Sequence, residues 1–166
     1  MNDAERAREL ERLMRAYGSQ LVRLCYVCLR DADLAHDAAQ EAFLKAWRAL
    51  DTLRAGETER AWLFSIAVHT CRDMRRGAWL RRRAGCSLDD LPEPACEMEQ
   101  RDGEPLRAVL SLPQKYREAV ILHYYQGFSQ EEIARALSVP PATVRSRLAR
   151  ARKKLEKALK GWYFDA

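Results

Sequence analysis

A chain of 166 residues, 48% of them apolar and 32% charged, has room for one ordinary domain or two small ones and has the composition of neither a membrane-embedded nor a disordered protein. Its 29 basic and 24 acidic residues leave a formal charge of only +5, but that charge is unevenly placed. Residues 1–50 are neutral, 51–84 carry +4, 85–106 carry −6, 107–132 are neutral and 133–166 carry +7. Two basic regions thus flank an acidic one, a pattern suited to two contacts with a polyanion and a spacer that avoids it.

Met1-Asn2-Asp3-Ala4-Glu5 is not a basic start followed by an apolar run. Uncharged apolar stretches such as Ala119 to Leu122 fall far short of the roughly 20 residues a bilayer requires, so a cytoplasmic protein is expected. The five cysteines, an odd number without a regular framework, fit a reducing compartment.

In chain order, Leu21, Leu24, Cys25, Cys28 and Leu29 form one apolar stripe at helical spacing. Ala39, Ala42, Phe43, Ala46, Trp47 and Leu50 repeat it on a second helix, and Leu63, Ile66, Ala67, Thr70 and Met74 on a third. Asp51 to Glu59, polar and containing Gly56, breaks the chain between them. From Gly85 to Pro105 periodicity is lost among acids, Pro92 and Pro94, which predicts a flexible acidic linker over 85–105 between domains 1–84 and 106–166. No segment alternates with period two, so the expected fold class is all-α, two small helical domains.

The second unit carries sharper signals. Pro113 is placed to start a helix over Gln114 to Tyr125, and Gly127 to stop it. Ser129 and Glu132 have capping-box spacing, and Phe128 with Ile133 that of a hydrophobic staple, which predicts a short helix from Gln130 to Leu137. Ser138-Val139-Pro140 ends it, and a longer helix with Val144, Leu148, Ala151 and Leu155 inward continues to about Leu159. A short helix, a tight turn and a basic helix make a helix-turn-helix. Opposite the apolar stripe of the last helix lie Ala142, Ser146, Ala149, Arg150 and Lys153, with arginines on both flanks. Small residues permit close approach to a groove, and arginine reads guanine or phosphate bidentately.

Leu112-Pro113-Gln114 through Gly127-Phe128-Ser129, then Glu131-Glu132-Ile133-Ala134 and Thr143-Val144-Arg145-Ser146-Arg147-Leu148, closely resembles region 4 of bacterial extracytoplasmic-function (ECF) sigma factors. Asp37 to Trp47, then Arg60-Ala61-Trp62-Leu63 and Ile66-Ala67, resembles region 2 of the same family, and the two matches cover nearly the whole chain in the family's order. The resemblance implies a sigma factor that binds core RNA polymerase and promoter DNA and directs promoter-specific initiation, with no cofactor, metal or small-molecule substrate. It implies docking on the β′ clamp helices through Asp37, Gln40, Glu41, Leu44 and Arg48, and a contact of region 4 with the β flap. Melting and reading of the minus-ten element fall to the Asp51 to Glu59 loop and to Arg60, Trp62, His69, Arg72, Arg75 and Arg76, with the Arg81-Arg82-Arg83 run drawing phosphate nonspecifically. Readout of the minus-thirty-five element falls to Arg145, Ser146, Ala149 and Arg150 on bases and Thr143, Arg147 and Lys153 on phosphates. Family members are commonly held inactive by an anti-sigma factor, often a membrane-bound one. Two residues depart from the common pattern: His69 where many members have Asn, and Ser138 where many have Gly.

Three other readings compete. Cys25-x-x-Cys28 could hold zinc or do redox chemistry, but both thiols lie on an apolar stripe and no second Cys/His pair has finger spacing. A DNA-binding regulator would share the helix-turn-helix and use the first unit to dimerise or sense a ligand. A nuclease would need a carboxylate cluster, and the one close pair outside helix starts, Asp89-Asp90, sits in the linker. The absence of a Gly-rich phosphate loop or nucleophile elbow predicts a protein that is not an enzyme.

Overall fold

Helix boundaries follow the residues that can cap them. In the computed structural model, which describes residues 1–53, 58–82 and 105–164, helix α1 runs Asp3–Leu29 from a capping box. Asn2 Oδ1 accepts from the Glu5 N–H at 2.8 Å, and Glu5 Oε2 accepts from the Asn2 N–H at 2.9 Å. It ends at Arg30, whose left-handed φ of 57° turns its N–H back to the Tyr26 carbonyl. Asp31 then caps α2, Ala32–Arg48, by accepting from the Leu34 N–H at 3.0 Å. A 3-10 turn, Leu50–Thr52, precedes α3, Glu59–Arg82.

These three helices pack pairwise. Leu13, Leu21, Leu24, Cys25, Cys28, Ala38, Ala42, Phe43, Leu63, Phe64, Ala67 and Val68 are all buried between them. On α3 the buried set differs from the predicted stripe. Phe64, Val68 and Cys71 are inside with Leu63, Ala67 and Thr70, whereas Ile66 and Met74 are half-buried. The reason is that α3 packs against both α1 and α2, so two flanks of one helix are covered and a single-stripe reading sees only one. Polar links tie the bundle at its edges: Lys45 Nζ donates to Thr70 Oγ1 at 3.2 Å and lies 3.6 Å from Asp73 Oδ2, and the Arg75 guanidinium donates to the Cys28 carbonyl at the end of α1.

The chain divides into two units, Met1–Glu93 and Pro94–Ala166. The second opens with α4 over 105–110 and α5, Gln114–Val120. Here the expected single helix to Tyr125 is corrected: Ile121–Tyr125 is a π-helical turn, closed by the Gln126 N–H on the Ile121 carbonyl at 3.0 Å. Gly127, at φ +70°, ends it, and the Phe128 N–H returns to the Leu122 carbonyl at 2.9 Å.

Helix α6 spans Gln130–Leu137, the predicted limits, behind the predicted capping box: the Glu132 N–H donates to Ser129 Oγ at 3.1 Å and the Ser129 N–H to Glu132 Oε1 at 3.3 Å. Phe128 and Ile133, the staple pair, are both buried. Ser138 takes φ 56°, ψ 46°, with the Val139 N–H on the Ala134 carbonyl at 3.0 Å and its own N–H on the Arg135 carbonyl at 3.3 Å, the pair that closes a Schellman turn. Helix α7, Pro141–Phe164, packs on α5 and α6 through Val144, Leu148 and Ala151, each fully buried, while Leu155 is half-buried.

Among the described residues there is no strand, and no helix is long and apolar enough to cross a membrane. Residues 54–57 of the predicted loop, the acidic segment 85–104 and the side chains of the Arg81-Arg82-Arg83 run lie outside the described residues.

Candidate nucleic-acid interface

Burial of one face of α7 fixes what the opposite face can offer. With Val144, Leu148 and Ala151 inward, a 100° step per residue turns Ser146, Ala149 and Lys153 outward and places Arg145 and Arg152 on one flank, Arg147, Arg150 and Lys154 on the other. Arg145, Ser146, Ala149, Arg150 and Lys153 are exposed; Thr143 and Arg147 are half-buried. Of the seven residues singled out from sequence, all on this one helix, five are therefore exposed to solvent and Thr143 and Arg147 only partly. Two cations on its α5 flank are already engaged: the Arg150 guanidinium donates to the Tyr116 hydroxyl and holds that phenol below its ordinary pKa, and Lys154 Nζ lies 5.9 Å from the Tyr116 ring centroid. Tyr116 thereby orients two basic groups along the helix surface, a contact that no local sequence signal announces.

Helix α2 presents a second surface. Its buried residues, Ala35, Ala38, Ala39, Ala42, Phe43 and Ala46, occupy one side, and Asp37, Gln40, Glu41, Leu44 and Arg48 share the other. Leu44 is 46% exposed, a large apolar side chain in water among polar neighbours. Phe43 is buried and Trp47 half-buried.

The basic set on α3 divides. His69, Arg72 and Arg76 lie on the side away from the Leu63/Phe64/Ala67/Cys71 stripe; Arg60 and Arg75 lie at its edge. Arg60 has its guanidinium carbon 5.3 Å from the Phe64 ring centroid, and Arg75 reaches the Cys28 carbonyl. Trp62 is only 9% exposed, so its ring packs within the bundle. One helix therefore presents a side away from the apolar stripe, where His69 and Arg72 are half-buried and Arg76 is exposed, and an edge where Arg60 meets Phe64 and Arg75 meets the Cys28 carbonyl.

Three residues outside every sequence motif act on the ends of the Asp51 to Glu59 stretch. Arg6 donates to the Trp47 carbonyl at 3.0 Å and is ion-paired with Asp51. Arg12 forks onto Glu59, Nη1 to Oε1 at 3.0 Å and Nη2 to Oε2 at 2.5 Å, and the Tyr17 hydroxyl donates to the same carboxylate at 2.9 Å. The Arg12 hydrogen bond holds the Glu59 carboxyl below the usual carboxylate range. These pairs span 41 to 47 residues, which is why no pattern in the sequence reveals them.

Cys25, Cys28 and Cys71 are free and fully buried thiols between α1 and α3. The hydrogen bond to Cys25, aided by burial, pushes the Cys71 thiol well above its ordinary pKa, so the set is a thiol cluster within the core. No group of three or more His, Cys, Asp or Glu side chains among the described residues is arranged to hold a metal ion.

A helix-turn-helix with an exposed basic face, and a separate three-helix unit with a second basic helix, define a two-module protein of the sigma-70 class. Residues 13–82 match the family model for sigma-70 region 2, and residues 106–155 that for sigma-70 region 4. The chain is 32% identical to the RNA polymerase sigma-H factor of Pseudomonas aeruginosa, over 92% of this chain and 86% of that one. It is 34% identical to the ECF RNA polymerase sigma factor SigM of Mycobacterium tuberculosis, over 90% and 76%. Among solved structures it is similar to the sigma factor RpoE of Bartonella quintana in complex with the anti-sigma factor NepR, at a TM-score of 0.76, 26% identity and coverage of 92% of this chain and 97% of that one. CnrH, solved with the cytosolic domain of CnrY, is similar at a TM-score of 0.67 and 26% identity, covering 93% and 90%. The chain belongs to the ECF sigma factors, and it directs promoter-specific transcription initiation by RNA polymerase.

Proposed function

We propose that the two basic faces divide the promoter between them. Region 4, over 106–166, reads the minus-thirty-five element by laying α7 in the major groove, with Arg145, Ser146, Ala149 and Arg150 towards base edges and Thr143, Arg147 and Lys153 towards phosphates. Region 2, over 1–84, docks on the β′ clamp helices through the Asp37/Gln40/Glu41/Leu44/Arg48 face of α2 and captures the unpaired minus-ten strand with α3. Melting a duplex forfeits base stacking, and His69, Arg72 and Arg76 on the outward face of α3 offset that cost by holding the exposed strand; Arg60 and Arg75 flank them. Buried Trp62 supports the helix on which they stand. The acidic linker over 85–105 threads the polymerase while region 4 meets the β flap. The chain carries no chemistry itself: the polymerase forms the phosphodiester bonds, and the sigma factor works as a cytoplasmic specificity subunit.

The observation that carries this reading is the α7 surface: five of the seven residues selected from sequence are exposed on it, with Thr143 and Arg147 half-buried beside them, behind a capped helix and a Schellman turn. Reconstitution with core polymerase and a promoter library, scored by runoff transcription and co-elution, tests it. Promoter-dependent transcripts are expected, and no transcript from any template together with no co-elution would sink it. The similar structures of RpoE with NepR and CnrH with CnrY support an anti-sigma partner for this chain as well, one that covers the polymerase-binding surface.

A further inference from the structure

Within this division of labour, α3 can capture a strand only if the chain entering it is held in place. Asp51 is exposed and Glu59 half-buried, and both are met by the N-terminal half of α1. Arg6 holds one flank twice over, through the Trp47 carbonyl and the Asp51 carboxylate. Arg12 and Tyr17 hold the other by filling both oxygens of Glu59, the first residue of α3. Tyr17 also meets the Phe64 ring edge-on, with centroids 6.4 Å apart, and Phe64 lies under Arg60. A chain of contacts therefore runs from α1 to a basic residue of the proposed minus-ten reader. Arg6 and Arg12 lie before residue 13, where the match to region 2 begins.

We propose that Arg6, Arg12 and Tyr17 are positioning residues for promoter melting: they fix the two flanks of the segment entering α3, and with it the Arg60 edge, in the geometry that captures the minus-ten strand. The proposal rests on the minus-ten reading given above. Stability alone does not account for so many contacts at one place, because exposed ion pairs of this kind contribute little to folding. Positioning is where they count, since a small displacement of a capturing group costs binding steeply.

The test uses holoenzyme reconstituted with wild-type or variant sigma, a fluorescent single-stranded oligonucleotide carrying a nontemplate minus-ten sequence chosen with the wild type, and permanganate footprinting of the duplex promoter. Arg12→Gln is expected to weaken oligonucleotide capture and open-complex formation about tenfold, as the loss of a charge-assisted hydrogen bond allows, while core co-elution is retained. Glu59→Gln is the sharper arm. It removes a negative charge, so a purely electrostatic role predicts tighter binding to a polyanion, whereas positioning predicts weaker binding. The double variant Arg12→Gln with Glu59→Gln should be no worse than either single change, the non-additivity expected of direct partners. Tighter binding by Glu59→Gln, additive losses, or a parallel loss of core co-elution and thermal stability would each overturn the proposal. Arg72→Ala serves as the reference. If it too leaves capture unchanged, the minus-ten reading fails and the positioning role with it; if only Arg72→Ala weakens capture, the positioning role alone is wrong.

Discussion

The two units place their basic residues in opposite ways. In region 4 the proposed DNA-contacting groups stand on one helix, α7, and all but Thr143 and Arg147 are exposed. In region 2 the basic residues of α3 divide between an outward face and an edge where Arg60 stacks on Phe64 and Arg75 bonds the Cys28 carbonyl, and the ends of the segment before it are held from α1. A reader of intact duplex needs a rigid helix whose side chains reach a groove, and local burial supplies that. A reader of melted strand must hold its capturing groups in place, and at Asp51 and Glu59 contacts from α1 supply that.

The largest expected effect removes the burial that presents α7. Leu148 is fully buried, and Leu148→Ala should cost region 4 about 2–5 kcal/mol, read by urea denaturation, together with minus-thirty-five dependence in runoff assays. Co-elution with core through α2 should persist. Loss of both activities together would show that the two units do not act as separate modules.

Next in size are single readers in each unit. Arg145→Ala should cost about 1–3 kcal/mol at particular minus-thirty-five base pairs and leave other positions untouched. Arg76→Ala should weaken binding evenly across sequences and lower the salt slope by about one, the mark of a phosphate contact. The comparison between the units breaks if Arg145→Ala proves uniform and Arg76→Ala base-specific.

Legibility in the sequence follows the same division. The limits of α6 were readable because Ser129, Glu132, Phe128 and Ile133 act within a few residues of one another, and the outward face of α7 follows from its apolar repeat. The π-helical turn at Ile121–Tyr125 was not, since α and π turns share one hydrophobic pattern and differ by which carbonyl an N–H meets. The burial of Phe64, Val68 and Cys71 depends on a helix having two neighbours, and the Arg6–Asp51 and Arg12–Glu59 pairs on where a third helix begins. Fold class and module order were therefore open to inspection, as was the α7 face. The support of the proposed minus-ten reader was not.

Capping supplies a smaller pair of effects, one in each unit. Ser129→Ala should destabilise region 4 by about 1 kcal/mol through loss of the α6 cap. Ser138→Gly and Arg30→Gly should each stabilise their own unit by a comparable amount, about 1 kcal/mol, because both residues sit at positive φ where a Cβ is strained. Differential scanning calorimetry reads these as shifts of a few degrees. A gain at one position and a loss at the other would mean that one side chain makes a contact outweighing its backbone strain.

The smallest effect is the pH dependence of the Glu59 clamp. Arg12, then Tyr17, lower the Glu59 pKa in the folded chain, against a desolvation that raises it. A carboxyl depressed on folding stabilises the native state fully above its unfolded value of about 4.3, and that contribution disappears as the pH falls through the lower, folded value. Region 2 stability should therefore be insensitive to this group from neutral pH down to about 5 and decline below it. Glu59→Gln should remove that part of the decline, measured by denaturant titration across the acid range, while region 4 titrates as before. An unchanged acid profile in Glu59→Gln would mean that the clamp contributes no folding free energy, leaving strand capture as the only property through which Arg12 and Tyr17 could act.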